Sequence, residues 1–161
     1  MTQMETAPSL LTPATLLEHW QGHRRLTRRT IEAFPEDQLF TFSIGGIRTF
    51  GELAGEMLST AAYNLNGLHT DDWSWNGASR GHRPTGRGEL LSAWDALTVQ
   101  IDAELPGVSV TFLNAEKDMA WARMTPLNAL LYQIDNEVHH RGQGYVYLRS
   151  LGTEPPAFYE R

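Results

Sequence analysis

Glu56, Asn136 and His140 are the residues whose types and placement could do chemistry in this chain. Asn136 and His140 stand four apart in a stretch with helical periodicity, so both side chains leave one face of one helix. An i, i+4 pair presents two groups to one point, the spacing that zinc-binding helices use, usually with two histidines. Glu56, on or beside the inward face of an earlier helix, would supply a third and harder ligand. A Glu/Asn/His set suits a first-row divalent ion or one that favours oxygen, with water completing the shell. Without a metal, the three form a hydrogen-bond network in which Glu56 and His140 serve as a general acid/base pair, histidine being the side chain that titrates near neutrality. The plainer alternatives are a hydrogen-bonded structural histidine and a Glu56 paired with an arginine.

The elements that must position these residues are helices. Thr12-Pro13 places an N-cap before a proline at the first helical position. Leu16, Trp20, His23, Thr27, Ile31 and Phe34 then recur at spacings of three and four, with Arg24, Arg25, Arg28 and Arg29 expected mostly outside that stripe. Pro35 ends this helix, and Phe40, Phe42 and Ile44 mark an apolar loop lying against the body. Thr49-Phe50-Gly51-Glu52 reads as a capping box opening a second helix to about Leu68, with Leu53, Glu56 or Met57, Thr60, Ala61, Asn64 and Leu68 inward. Leu90, Leu91, Trp94, Leu97, Ile101 and Leu105 restore the helical period after a long glycine-rich loop. Thr125-Pro126 opens the last helix, with Leu127, Leu130, Leu131, Ile134, Val138, Tyr145 and Leu148 expected inside. Beside them runs a polar stripe of Tyr132, Asn136, His140, Gln143 and Tyr147. Between the third and last helices the pattern is ambiguous: Val108 to Phe112 alternates like a short strand, and Glu116 to Met124 reads as a helical turn. The expected fold is all-α, an antiparallel four-helix bundle with long loops, in a single domain over residues 1–161.

Composition narrows the function. The 13 Lys and Arg against 19 Asp and Glu give a net charge of −6, which disfavours nucleic acid and anionic membrane surfaces as partners. There is no cysteine, which removes disulfides, thiolate metal sites and cysteine nucleophiles together. No apolar run approaches the roughly 18 residues of a membrane span, and the first residues lack a leader pattern, so a cytoplasmic location is expected. No glycine-rich phosphate loop, nucleophile elbow or basic recognition helix is present.

Secondary features carry weaker signals. Arg80, His82, Arg83 and Arg87 in the glycine-rich loop could hold an anion, although such loops are commonly solvated. Tyr63, Trp73 and Trp75 could wall a pocket, but packing is the simpler role. Trp20 and Trp94 belong to the core. His139 points about 100° away from His140 around the helix, and so does Arg141, for which an ion pair to Glu52 or Glu137 or a tie between helices is expected. Gly142 and Gly144 within a helix suggest close approach by another helix or a substrate.

The run Asn136-Glu137-Val138-His139-His140-Arg141-Gly142-Gln143, continuing through Gly144-Tyr145-Val146-Tyr147-Leu148-Arg149 to Leu151-Gly152, resembles the last helix of the DinB-like (DinB/YfiT) superfamily. Arg48-Thr49-Phe50-Gly51-Glu52-Leu53 resembles that family's entry to its second helix. The resemblance implies a four-helix bundle, commonly a homodimer, with a divalent metal held by three histidines. One of these is on the second helix and two stand four apart on the last. By position they correspond to Glu56, Asn136 and His140, of which His140 alone matches. A carboxylate and an amide in place of two imidazoles make the set harder, with zinc, nickel or manganese the ions to consider. Family members of known activity resemble transferases and isomerases that use low-molecular-weight thiols such as bacillithiol or mycothiol, or metal-dependent hydrolases.

Two readings follow. One is a metal-dependent thiol transferase or hydrolase acting on a small-molecule substrate between the second and last helices, with Glu56 and His140 catalytic. The other is a non-catalytic dimeric bundle that binds a small ligand or partner. Polar residues kept at the positions of Glu56 and Asn136 favour a retained polar site in either case.

Overall fold

The computed structural model describes residues 10–76 and 83–161. Among these, four long helices carry the structure: α1 (Pro13–Ala33), α2 (Phe50–Thr70), α3 (Arg87–Glu104) and, after a short α4 (Val110–Leu113), α5 (Pro126–Ser150). A 3-10 turn, Leu105–Gly107, follows α3. Two short strands, β1 (Lys117–Asp118) and β2 (Arg123–Met124), pair antiparallel with Lys117 opposite Met124.

Local chemistry starts three of the helices. Thr12, Thr49 and Thr125 each accept a backbone N–H three residues on. At Thr49 the box closes reciprocally, with Glu52 Oε2 accepting from the Thr49 N–H at 2.8 Å. The second helix runs to Thr70, two residues past the expected end, and stops at Asp71 in the left-handed conformation with φ 58°.

α1 and α2 each pack against both α3 and α5. The core between them holds Leu16, Trp20, Ile31, Leu53, Trp94 and Leu130, and Trp20 and Trp94 are fully buried as expected. α2 and α5 run antiparallel. Phe50 lies against Gly144, Glu56 meets His140, and the Met57 carbonyl accepts from Gln133 Nε2. The apolar loop lies partly on the body: Leu39 is buried, Phe40 and Phe42 pack on the core, and Ile44 remains exposed.

Three expectations are corrected. Arg24 lies inside, 1% exposed, with its guanidinium 4.2 Å from the Trp94 ring and bonded to Thr98 Oγ1 and the Trp94 carbonyl. Its aliphatic stem packs while the Trp94 ring, Thr98 and the Trp94 carbonyl engage Nε and Nη2 of the head, so an arginine is held on the buried side of α1. Val138 is 41% exposed, because the buried face of α5 passes through Gln133, Glu137, His140, Arg141 and Gly144. Between α3 and α5 the two assignments exchange: Val110–Leu113 is helical, capped by Ser109, and the strand pair lies within 117–124. Tertiary contact fixes that hairpin. The buried Tyr63 hydroxyl accepts from Ala120 N at 3.0 Å and donates to the Trp73 carbonyl at 2.5 Å.

Candidate functional site

Glu56 and His140, 84 residues apart in sequence, meet across the α2/α5 seam with Nε2 and Oε1 at 3.1 Å. The His140 side chain is 9% exposed and that of Glu56 32%, so the pair has a buried end and an end open to solvent. A carboxylate can only accept, so Nε2 carries the proton of this contact. The other ring nitrogen, Nδ1, lies 2.8 Å from Gln143 Oε1, one helical turn further along α5. A glutamine amide can accept from Nδ1–H or, turned over, donate to bare Nδ1, so both proton states of the ring find a partner.

Arg48, in the segment that leads into α2, completes the site from the solvent side. Its Nη1 pairs with Glu56 Oε2, and its own carbonyl accepts from the buried Tyr147 hydroxyl at 3.0 Å. α5 thus holds Glu56 twice, directly through His140 and indirectly through Tyr147 and Arg48. Burial pulls the Glu56 carboxyl upward, but the hydrogen bonds from Arg48 and His140 outweigh it and hold it below its ordinary range. The carboxylate therefore stays ionised at neutral pH.

Asn136 lies one turn from His140 on the same helix and is half-buried. Its Nδ2 is sealed from solvent and has no hydrogen-bond partner among the described residues. It makes no hydrogen bond to Glu56 or His140. Tyr132, expected on the same stripe, is 56% exposed and stands away from the site. His139 is exposed, with its ring 5.2 Å from that of His140 and turned to solvent.

The donor chemistry does not fit the three-histidine metal site that the resemblance implies. Glu56 Oε2 is paired with the permanently cationic Arg48, which repels a metal ion, and His140 Nε2, which would have to be bare to ligate one, donates its proton to Oε1. Asn136 makes no hydrogen bond to either residue and buries its amide Nδ2, so it does not join Glu56 and His140 in a shared donor set. Among the described residues, no three His, Cys, Asp or Glu side chains gather where they could hold an ion.

A second polar cluster lies where α5 faces α1, and of it the sequence suggested only the Arg141–Glu137 pair. Glu137 is fully buried and accepts from Thr27 Oγ1 at 2.6 Å, with Arg141 Nη1 4.0 Å away. Arg141 also bonds Thr27 Oγ1, the His23 carbonyl and His23 Nδ1. Of its two expected partners, Glu137 is the one it faces. Burial raises the Glu137 carboxyl, against the pull of Arg24, Thr27 and Arg141. Burial likewise lowers Arg24 to about 10, which still leaves it charged at neutral pH. The cluster ties α1 to α5 and has no exposed member, so it is structural. Its legible signal was the run Gln133, Glu137, Arg141 at spacings of four.

The DinB family model matches residues 1–161. The chain belongs to the DinB family. Its fold is similar to that of a DinB-like protein from Bacillus subtilis, with a TM-score of 0.74 at 22% identity, covering 91% of this chain and 99% of that one. A DinB-like protein from Bacillus cereus gives a TM-score of 0.72 at 19% identity, over 91% of this chain and 97% of the other. Comparison with curated proteins gives no match. In this DinB-family chain the seam between α2 and α5 thus carries an Arg–Glu–His–Gln chain of contacts.

The remaining candidates lie elsewhere. Tyr63 stacks on Trp75 at 5.3 Å and contacts Trp73 edge-on, joined by Trp121, which the sequence reading missed. Arg87 is engaged by the Phe34 carbonyl and Glu36, and Arg83 is exposed. Arg80 and His82 lie outside the described residues. No helix among the described residues is long and apolar enough to cross a membrane.

Proposed function

We propose that this DinB-family protein acts on a small molecule at the α2/α5 seam of an antiparallel four-helix bundle, using Glu56 and His140 as a proton-transfer pair that needs no metal. The observation that carries this reading is the 3.1 Å contact between His140 Nε2 and Glu56 Oε1, open to solvent at its Glu56 end. An ionised carboxylate takes a proton from an entering O–H or S–H group as that atom bonds the electrophilic centre of the substrate. A doubly protonated His140 ring, its Nδ1–H held by Gln143 Oε1, passes its Nε2–H proton to the leaving atom as that bond breaks and becomes neutral. Transfer of a proton from Glu56 to His140 then restores both groups, and one nucleophile is consumed per turnover. With water the reaction is a hydrolysis, and with a low-molecular-weight thiol a transfer. Arg48 and Gln143 are positioning residues in this scheme, since Arg48 holds Glu56 Oε2 and Gln143 holds His140 Nδ1.

Turnover of activated esters with water and with small thiols, measured on protein dialysed against chelator, tests the reading. Glu56→Gln and His140→Ala each lower kcat by on the order of 10²–10⁴-fold, and added zinc, nickel or manganese changes nothing. Activity that returns only with one of those ions would reinstate the metal reading. Ligand binding without turnover, unaltered in either variant, would make the protein a binding module.

A further inference from the structure

Asn136 Nδ2 is one of three side-chain amide atoms that the α2 and α5 helices bury without a protein partner among the described residues. The others are Gln133 Oε1 on α5 and Asn64 Oδ1 on α2. Gln133 is 0% exposed and Asn64 2%, so neither residue reaches bulk solvent. Buried polar atoms are almost always hydrogen-bonded, and leaving one unmet costs about 1–3 kcal/mol. With Glu137 Oε2 and Tyr145 Oη, five buried side-chain atoms of these two helices lack a partner among the described residues, and three of the five are amide atoms on the facing helices.

The placement of the three amide atoms relative to the Glu56–His140 pair supplies an explanation. α2 and α5 run antiparallel, so moving along α2 from Glu56 to Asn64 is moving along α5 from His140 through Asn136 to Gln133. Asn136 and Gln133 are three apart, neighbours on the helix surface. Turning the amides over does not resolve the shortage. Gln133 Nε2 already donates to the Met57 carbonyl and Asn64 Nδ2 to the Thr60 carbonyl, so a flip would set oxygen against oxygen. What remains is one donor and two acceptors. A water molecule donates two hydrogen bonds and accepts up to two, so it can meet one donor and two acceptors together, and enclosed waters typically make about three.

We propose that the α2/α5 seam holds an enclosed water site, bound by Asn136 Nδ2, Gln133 Oε1 and Asn64 Oδ1, that leads to the Glu56–His140 pair. Water is favoured over a larger guest because each of the three atoms is sealed from solvent. Resting on the proposed acid/base reading, the site deepens it by placing a resident supply of water one helical turn from His140.

Water-selective rotating-frame cross-relaxation on the isotope-labelled full chain, without substrate, tests this directly. The side-chain amide protons of Asn136 and Gln133 are expected to show cross-peaks to a long-lived water. Asn136→Leu, which removes the donor and fills the space, is expected to abolish the water cross-peak at Gln133. Asn136→Ser, which keeps a hydroxyl and a smaller volume, is expected to retain it if the leucine variant does not fold. Absence of long-lived water at both amides in the unaltered protein would overturn the inference, and so would a Gln133 cross-peak unchanged in a folded Asn136→Leu protein. Because the readout needs no turnover, it stands or falls separately from the loss of kcat that tests the acid/base pair.

Discussion

Arg141 Nη2 lies 3.0 Å from His23 Nδ1, while Arg161 Nη1 lies 3.1 Å from the same ring at Nε2. A neutral imidazole has one acceptor nitrogen, so only one of the two guanidiniums donates to it. A protonated ring would have none. Burial, reinforced by Arg141, Arg161 and His19, lowers His23 from 6.5 to about 4. Above about pH 6.5 the ring is neutral in folded and unfolded chains and contributes no pH dependence. As pH falls from 6.5 towards 4 the unfolded chain takes up a proton that the folded chain refuses, so stability declines through that window. Urea unfolding of wild type and His23→Gln between pH 7 and pH 4 checks this. The wild type is expected to lose more stability than the variant on acidification, and parallel curves would contradict the assignment.

Gly142 and Gly144 lie on the same helix in opposite circumstances. A Cβ on Gly144 would stand 2.4 Å from the Phe50 ring, whereas one on Gly142 would meet nothing within 4 Å. Close approach of a neighbouring element therefore explains Gly144 and not Gly142. Gly144→Ala is expected to destabilise by about 1–3 kcal/mol through overpacking. Gly142→Ala is expected to stabilise by about 0.5–1 kcal/mol, because alanine is the better helix residue where space is free. Denaturant midpoints of the two variants decide the point.

The buried and exposed ion pairs should differ sharply in their energetic weight. Glu137→Ala leaves Arg141 and Arg24 without their buried counter-charge and is expected to cost about 3–5 kcal/mol. Arg28 pairs with Asp95 through two bonds of 2.6 and 2.9 Å, tying α1 to α3 at the surface. Solvent screens that pair, so Arg28→Met is expected to cost about 1 kcal/mol or less. Equal losses would overturn the view of the Glu137 cluster as the main polar tie between α1 and α5.

Removing Arg48 is expected to reverse the balance at Glu56. With Arg48→Met, burial acts on the carboxyl with less opposition, so its pKa rises. The acid limb of any activity that needs ionised Glu56 moves to higher pH, while the limb in wild type stays below the usual carboxylate range. A pH–rate profile of the two proteins checks the direction, and coincident acid limbs would remove Arg48 from the role of positioning residue.

Much of the fold was legible because its signals are local. Threonine caps at Thr12, Thr49 and Thr125, prolines at the first helical position and the three-four spacing of apolar residues act within one or two turns of chain. They set where three of the four long helices begin and which residues form most of the core. The resemblance of the last helix also singled out Glu56 and His140, and the tertiary structure places these two in contact.

Other features depend on groups distant in sequence, and periodicity cannot see them. Burial of Arg24 depends on Trp94 and Thr98 of α3, and the hairpin near Ala120 depends on the Tyr63 hydroxyl of α2. Rotation of α5, which turns Val138 outward and Glu137 inward, was settled by Thr27 and Arg24 awaiting a carboxylate. Arg48 joined the site because Tyr147 fixes its backbone beside Glu56. Sequence alone determined where the four long helices lie and pointed to Glu56 and His140 as polar residues on facing helices. Only tertiary structure decided what partners those two have, because a charged or polar side chain enters an interior where hydrogen-bonding groups from other helices meet it.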